Sequence, residues 1–225
     1  MQEQLQNENI KDILEETPFN NCEIEKVDEG VSTDVYILKN SETYYLKIFS
    51  DNHSLAAMLL ANKLLLREGI HVPEIVYSKE KDSIQDSRAF YIEKELEGKS
   101  IKKEPTLSEE EKREIIIEAG KDLAKINSIP VEGVGSVKEV KEDKLKAPWN
   151  NYNGFILKNI NNMLNELLNS NVLSEEQIDK IENYIFQNQN LLDTQNNSFL
   201  AHGACSVEHI YHLNGRYSGI IDFGD

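Results

Sequence analysis

The feature that most constrains this chain is a change of hydrophobic period at Gly98. Upstream, short runs rich in β-branched and aromatic residues are broken by turn-forming clusters. Downstream, apolar residues recur every third or fourth position until a final pair of strand-like runs. A chain that places its strands first and its helices afterwards is expected to be α+β, with an antiparallel sheet and one helix in the first part and a mainly helical second part.

The strands can be placed individually. Cys22 to Val27, Thr33 to Leu38 and Thr43 to Phe49 are separated by Asp-Glu-Gly and Lys-Asn-Ser-Glu, which predicts three antiparallel strands. In the third, alternation puts Tyr45, Lys47 and Phe49 on one face. The stretch SLAAMLLANKLLLREG carries apolar residues at 56, 60 and 64 and at 55, 59 and 66, and closes on Gly69 as a helix with its C-cap. VPEIVYS and RAFYIEKEL supply two more strands. The division expected is 1–94 as a first lobe, 95–98 as a hinge and 99–225 as a second, mainly helical lobe.

Beyond Gly98, Ser108 with Glu111 and Ser174 with Gln177 are capping boxes. Behind the first, Ile116, Ala119, Leu123 and Ile126 make one apolar stripe. Ile156, Ile160, Met163 and Leu167 make a second, and Ile178, Ile181, Ile185 and Leu192 a third. IYHL, Asn214-Gly215 and YSGIID read as a hairpin with a two-residue turn. No internal repeat is visible.

Charge and cysteines limit the partners. With 40 acidic against 24 basic side chains and a formal charge of -16, the chain would repel a phosphate backbone, which argues against nucleic acid; it would steer a cationic ligand, but an acidic surface serves plain solubility first and names no substrate. Cys22 and Cys205 show no framework spacing, the N-terminus lacks the apolar core of a signal peptide, and the longest apolar run is too short for a bilayer. A cytoplasmic protein without a membrane partner is expected.

The chemistry is carried by order along the chain. Gly30 and Ser32 lie in a loop between two strands, Lys47 stands on the next strand, and Asp222-Phe223-Gly224 follows a late hairpin. A loop that approaches phosphate oxygens, an ammonium that neutralises them and a carboxylate for the bridging metal are the parts that phosphoryl transfer from a nucleotide requires.

From about Val27 to Asp225 the sequence resembles the aminoglycoside phosphotransferases and choline-kinase-like small-molecule kinases, which share the protein-kinase-like two-lobe fold. The resemblance runs through EGVSTDVYIL, YYLKIF, GIHVPEI, YIEKELEGKSI, AGKDLAKINSIP and FLAHGACSVEHIYHLNGRYSGIIDFGD. The last stretch is the most specific, matching a pattern of His-Gly-Asp, four residues, Asn or His, a hairpin and Ile-Asp-Phe-Gly. The resemblance implies that Lys47 contacts phosphate and that Ile92, Glu93 and Lys94 form the hinge that binds a purine. His202 would open the catalytic loop, and His209, more often Asn, would ligate Mg2+ together with Asp222. ATP or GTP would be the donor and a small hydroxylated, cationic molecule, an aminoglycoside above all, the acceptor.

Three departures weigh on activity. The catalytic Asp of the family falls on Ala204, which has no carboxylate to accept a proton or aim a hydroxyl. Loss of such a group typically costs about 10²- to 10⁴-fold in rate. Cys205, the nearest polar neighbour, reads as a small buried side chain. The helix after Lys47 contains no acid from Ser54 to Leu66, so the lysine is expected to lack its usual glutamate, with only Asp51 and Glu68 at the flanks. The chain ends at Asp225, where family members continue through further helices, and the uncovered helices are expected to self-associate. Asn127 stands where the family usually has His.

The expectation is therefore a kinase impaired or inactive in this form, with a nucleotide-binding pseudokinase as the alternative. A lesser alternative is structural zinc at His202, Cys205, His209 and His212. Strand parity, which sends residues 209 and 212 to opposite faces, opposes it.

Overall fold

Alternation in the strands decides how the first sheet is covered. In the computed structural model, which describes residues 10–15, 17–27, 34–49, 52–80, 88–194 and 197–223, β1 (Glu23–Lys26), β2 (Asp34–Lys39), β3 (Thr43–Phe49), β4 (Ile75–Lys79) and β5 (Ala89–Lys94) form an antiparallel sheet. Its order is β1-β2-β3-β5-β4. Tyr36, Leu38, Leu46, Ile48, Phe90 and Ile92 point to one face and are covered by Ile10, Leu14 and Phe19, from a helical turn at 10–14 and the chain after it. Phe49, Ala89 and Tyr91 point to the other and meet Leu55, Met58 and Leu59 of α1 (Asn52–Arg67). Lys47 shares that second face, so it lies between the sheet and α1.

Helix α1 buries Leu55, Ala57, Ala61 and Leu65, so of the positions expected at 56, 60 and 64 and at 55, 59 and 66 only Leu55 is fully buried and the rest of the buried stripe lies one residue beyond 56, 60 and 64. Its end is a Schellman motif. Gly69 has φ +68°, its N–H bonds to the Leu66 carbonyl, and the Ile70 N–H reaches back to that of Leu65 at 3.0 Å. Asn62 ties α1 to the sheet, donating to the Pro73 carbonyl at 2.8 Å and accepting the Ile75 N–H at 3.4 Å.

The second part holds a small sheet and the longer helices. β6 (Lys99–Ser100), β11 (Ile210–Leu213) and β12 (Arg216–Ile220) pair in the order β12-β11-β6. The turn between β11 and β12 is Asn214-Gly215, both with positive φ (51° and 77°), as the sequence required. Helix α2 (Glu109–Ile126) starts at the expected Ser108–Glu111 capping box, and α4 (Glu175–Gln187) at the Ser174–Gln177 box. Helix α3 (Tyr152–Asn169) lies between them, capped by Asn151. Shorter pairs were not anticipated: β7 (Pro130–Val131) with β10 (Ser198–Phe199), and the hairpin of β8 (Glu139–Lys141) with β9 (Lys144–Lys146).

Two of the expected stripes shift by one residue. On α2 the buried side chains are Ile115, Ala119, Asp122 and Ile126, while Ile116 is exposed. On α3 Leu164 is buried and Met163 is exposed. The α2 face packs with Ile101, Leu107, Ile210 and Ile220. A further cluster joins the two parts, Ala61, Leu65, Ile70 and Val72 meeting Ile126, Ile129, Leu145 and Leu200. Burial on the order of 25 cal/mol per Å2 of apolar surface makes that shared core the main force holding α1 against the helical part. No described helix is long and apolar enough to cross a membrane.

Candidate functional site

Lys47 meets the end of β12 at the seam between the two sheets. Its Nζ lies 3.2 Å from Glu93 Oε1 and 3.6 Å from Asp222 Oδ1. The lysine and Glu93 side chains are 15% and 11% exposed, whereas Asp222 is 46% exposed and open to a ligand. Glu93 sits beside Lys47 because β3 and β5 pair Lys47 with Tyr91 and Tyr45 with Glu93, placing all four side chains on one face. Burial alone would lower the Lys47 pKa, but Tyr91, Glu93 and Asp222 outweigh it and hold the ammonium above the ordinary lysine range. Burial raises Glu93 above the usual carboxylate value, with Lys47 only partly countering it.

The expected lack of a lysine partner is therefore corrected. No acid comes from α1, but β5 supplies one. The residues expected to form the hinge lie at the end of β5. Ile92 is fully buried in the core on the opposite face, and Lys94 pairs with Glu42 at the surface. The backbone of Ile92–Lys94 is engaged by β3 on one side and β4 on the other, the Lys94 N–H bonding to the Glu74 carbonyl. The chain leaves the strand only at Glu95, ahead of Gly98, where φ is +115° and an added Cβ would stand 2.3 Å from the His212 carbonyl oxygen.

Asp222 is held in a backbone conformation that presents it. Its φ is +61°, a left-handed geometry uncommon outside glycine. Just before it, the Ile220 N–H bonds to the His71 carbonyl at 2.8 Å and the Ile221 N–H to that of His209 at 3.0 Å. Gly219 permits this approach, since a Cβ there would meet the His71 carbonyl oxygen at 2.4 Å.

The segment 202–209 arranges two imidazoles behind Asp222. His202 Nε2 donates to the Ile221 carbonyl at 2.9 Å, and its ring stacks on that of His209 with centroids 5.7 Å apart. Burial lowers the His202 pKa, so the ring is kept neutral. His209 Nδ1 donates to the Ala204 carbonyl at 2.8 Å, and its Nε2 stands 3.7 Å from Asp222 Oδ2. Two ligands of an octahedral Mg2+, at 2.0–2.1 Å each, stand about 3 Å apart when cis and about 4 Å when trans. At 3.7 Å the pair lies between these separations, so Asp222 and His209 are near enough to flank one divalent ion but do not stand at the spacing of adjacent or opposite octahedral ligands. Ala204 is exposed and offers the site only its carbonyl and methyl.

The structure thus brings together Lys47, Glu93, Asp222, His209, His202 and Ala204. Gly30 and Ser32 lie outside the described residues, as does Gly224. Cys205 packs beside the α2 core cluster, as its small apolar reading implied. His212 is buried on β11 and accepts the Gly215 N–H at 3.4 Å. Among the described residues no group of three or more His, Cys, Asp or Glu side chains is placed to share one metal.

One residue the sequence reading passed over is Asp122. It is buried, and its Oδ2 accepts from the His71 N–H at 3.3 Å, from His71 Nδ1 at 3.2 Å and from the Tyr217 hydroxyl at 3.0 Å, while Oδ1 takes Lys125 Nζ at 2.9 Å. Burial pushes its pKa up, but these hydrogen bonds leave it below the usual carboxylate value. It fixes the 71 loop on β12, directly behind Asp222. The signal was available, because 119, 122 and 126 share a helical face.

A model of the phosphotransferase enzyme family, APH, matches residues 23–225, from β1 to the end of the chain. The chain belongs to that family. Among solved structures, the streptomycin-ATP ternary complex of APH(2")-IIa superposes with a TM-score of 0.63 at 19% identity, covering 97% of this chain and 70% of that one. An apo thermostable mutant of APH(4)-Ia gives 0.61 at 14%, covering 96% and 73%. ADP-bound APH(2'')-Ib gives 0.60 at 19%, covering 96% and 70%. These likenesses establish the fold, that of the aminoglycoside phosphotransferases. No curated protein matches the chain.

Proposed function

We propose that this phosphotransferase-family chain binds ATP or GTP with Mg2+ and descends from a kinase that phosphorylates a hydroxyl of a small cationic molecule, an aminoglycoside first, with transfer impaired at Ala204. The observation that carries the reading is Asp222, one oxygen 3.6 Å from Lys47 Nζ and the other 3.7 Å from His209 Nε2. Lys47 would contact phosphate oxygens, and Asp222 and His209 would hold the ion, whose charge offsets that of the phosphates when bound. Gly30 and Ser32 would approach the phosphates, and the hinge at 95–98, whose Glu95 N–H is bonded to the Thr43 carbonyl, would face the base with its remaining backbone groups. Complexes of related folds with ADP, AMP-PNP and GDP, and with streptomycin, gentamicin and hygromycin B, support the ligand classes.

At the acceptor side the chemistry is missing a part. No carboxylate at 204 aims the hydroxyl, and the Ala204 carbonyl is already taken by His209. That observation favours a second reading, a pseudokinase that binds nucleotide without turnover. The test is Ala204→Asp in a chain extended to the length of its structural neighbours, assayed for nucleoside diphosphate release with a panel of aminoglycosides and with Asp222→Ala as the inactive reference. Recovery by about 10²-fold or more supports the kinase descent. Turnover no faster than the reference, with nucleotide still bound, leaves the pseudokinase reading.

A further inference from the structure

Family members orient the strand lysine with a glutamate from the following helix, and this chain has none. Helix α1, NHSLAAMLLANKLLLR, carries no acid along its length, and Met58, Asn62 and Leu65 are the α1 residues that line the cavity beside Lys47. The carboxylate comes from the sheet instead. Glu93 lies two residues beyond Tyr91, the cross-strand partner of Lys47, on the same face of β5. Tyr91 lies beside the pair, its ring centroid 6.0 Å from Lys47 Nζ.

We infer that Glu93 is the positioning residue for Lys47, holding its ammonium from β5 at the mouth of the phosphate site and away from the metal carboxylate Asp222. The inference rests on the nucleotide reading given above. The geometry supplies its reason. Lys47 Nζ is within 4 Å of both carboxylates, 3.2 Å from Glu93 and 3.6 Å from Asp222. Asp222 has a second claim on it from His209. A buried ammonium does not stay unpaired, because an uncompensated buried charge is costly. Without Glu93, Lys47 would settle on Asp222 and occupy an oxygen the divalent ion needs. Glu93 also sits deeper than Asp222, so an incoming phosphate displaces the outer contact and leaves the inner one in place. The role differs from plain stabilisation, because it predicts a loss that depends on the metal.

The experiment uses the whole chain and three variants, Glu93→Gln, Glu93→Ala and Glu93→Ala/Met58→Glu, the last returning a carboxylate from the α1 side of the same cavity. Circular dichroism checks that each folds. Lysine ammonium signals are read by proton–nitrogen correlation without nucleotide, with Lys47→Arg for assignment. Mg-ATP and Mg-GTP binding is measured by calorimetry with Mg2+ and again with a chelator in its place. The expected result is a protected Lys47 signal that is lost or shifted in Glu93→Gln and affinity for the magnesium complex reduced about tenfold or more, as removal of a charge-assisted hydrogen bond implies. The reduction should be smaller under chelator, and Met58→Glu should restore affinity to within about threefold of the parent. A folded Glu93→Gln protein that keeps both the Lys47 signal and the parent affinity overturns the inference, as does equal loss with and without Mg2+. Parent protein that binds no nucleotide overturns the reading of the site instead, and the ammonium signal still decides whether Glu93 holds Lys47.

Discussion

Replacing Asp122 with Ala should separate the 71 loop from β12. Its carboxylate makes four contacts, but they do not count equally. The Lys125 and His71 side chains are 45% and 64% exposed, so their contacts with the carboxylate contribute little once screened by water. The Tyr217 hydroxyl and the His71 N–H are the costly losses, each a hydrogen bond to a buried charge. At about 1.5–2 kcal/mol each, Asp122→Ala should lose about 3–4 kcal/mol. For a chain of this size 1 kcal/mol corresponds to about 2–4 °C, so Tm should fall by roughly 10 °C. The folded pKa of Asp122 lies below its unfolded value, so its contribution is present above about pH 4 and is lost as the pH falls through the folded value. Paired thermal unfolding scans of parent and Asp122→Ala at pH 7 and pH 3 check both parts. In a Tyr217→Phe background the cost should drop by about half, which isolates the hydroxyl. A fall of less than 2 °C at pH 7, or an undiminished difference at pH 3, would refute the reasoning.

Other expectations follow from the same structure. Gly98→Ala should cost at least about 3 kcal/mol, because the new Cβ meets the His212 carbonyl oxygen at 2.3 Å on a backbone at φ +115°, and denaturant unfolding will measure it. The His202 pKa is lowered by burial, so the unfolded chain binds more protons just below about pH 6.5 and stability should fall on acidification through that window. His202→Asn should flatten the slope between pH 7.5 and 5.5 in urea titrations. Met163, Val172, Tyr184, Phe186 and Leu191 are exposed on and around α3 and α4, and we propose that this face drives self-association. Light scattering should give a mass above 25.8 kDa that returns to the monomer in Tyr184→Asp/Phe186→Asp, and a parent monomer at all concentrations would contradict it.

Much of the fold was legible because local chemistry decided it. Thr43–Phe49 is a strand over its predicted length, the two capping boxes start helices where expected, and Asn-Gly makes its hairpin. The misses lie where local chemistry is silent. Three consecutive isoleucines at 115–117 leave the α2 stripe ambiguous by one residue, and packing selects Ile115. Glu142-Asp143, at φ 50° and 58°, is a turn without glycine or asparagine and carried no hairpin signal. In the candidate site, Lys47 and Asp222 could be singled out from their order along the chain, and His209 from the family resemblance. The role of Glu93 was not, because cross-strand register is a tertiary property that neither strand encodes alone. Asp122 was overlooked as one acid among 40, although its helical spacing marked it as inward-facing.

The central claim is that Lys47, Asp222 and His209 form a nucleotide and metal site even though Ala204 stands where the family has its Asp. Calorimetric titration of the parent chain with ATP and with GTP, each with Mg2+, against Asp222→Ala under identical conditions tests it most directly. The account predicts saturable binding of at least one nucleotide by the parent, weakened about tenfold or more in Asp222→Ala and by removal of Mg2+. No heat of binding up to millimolar nucleotide, or equal binding by Asp222→Ala, would contradict it.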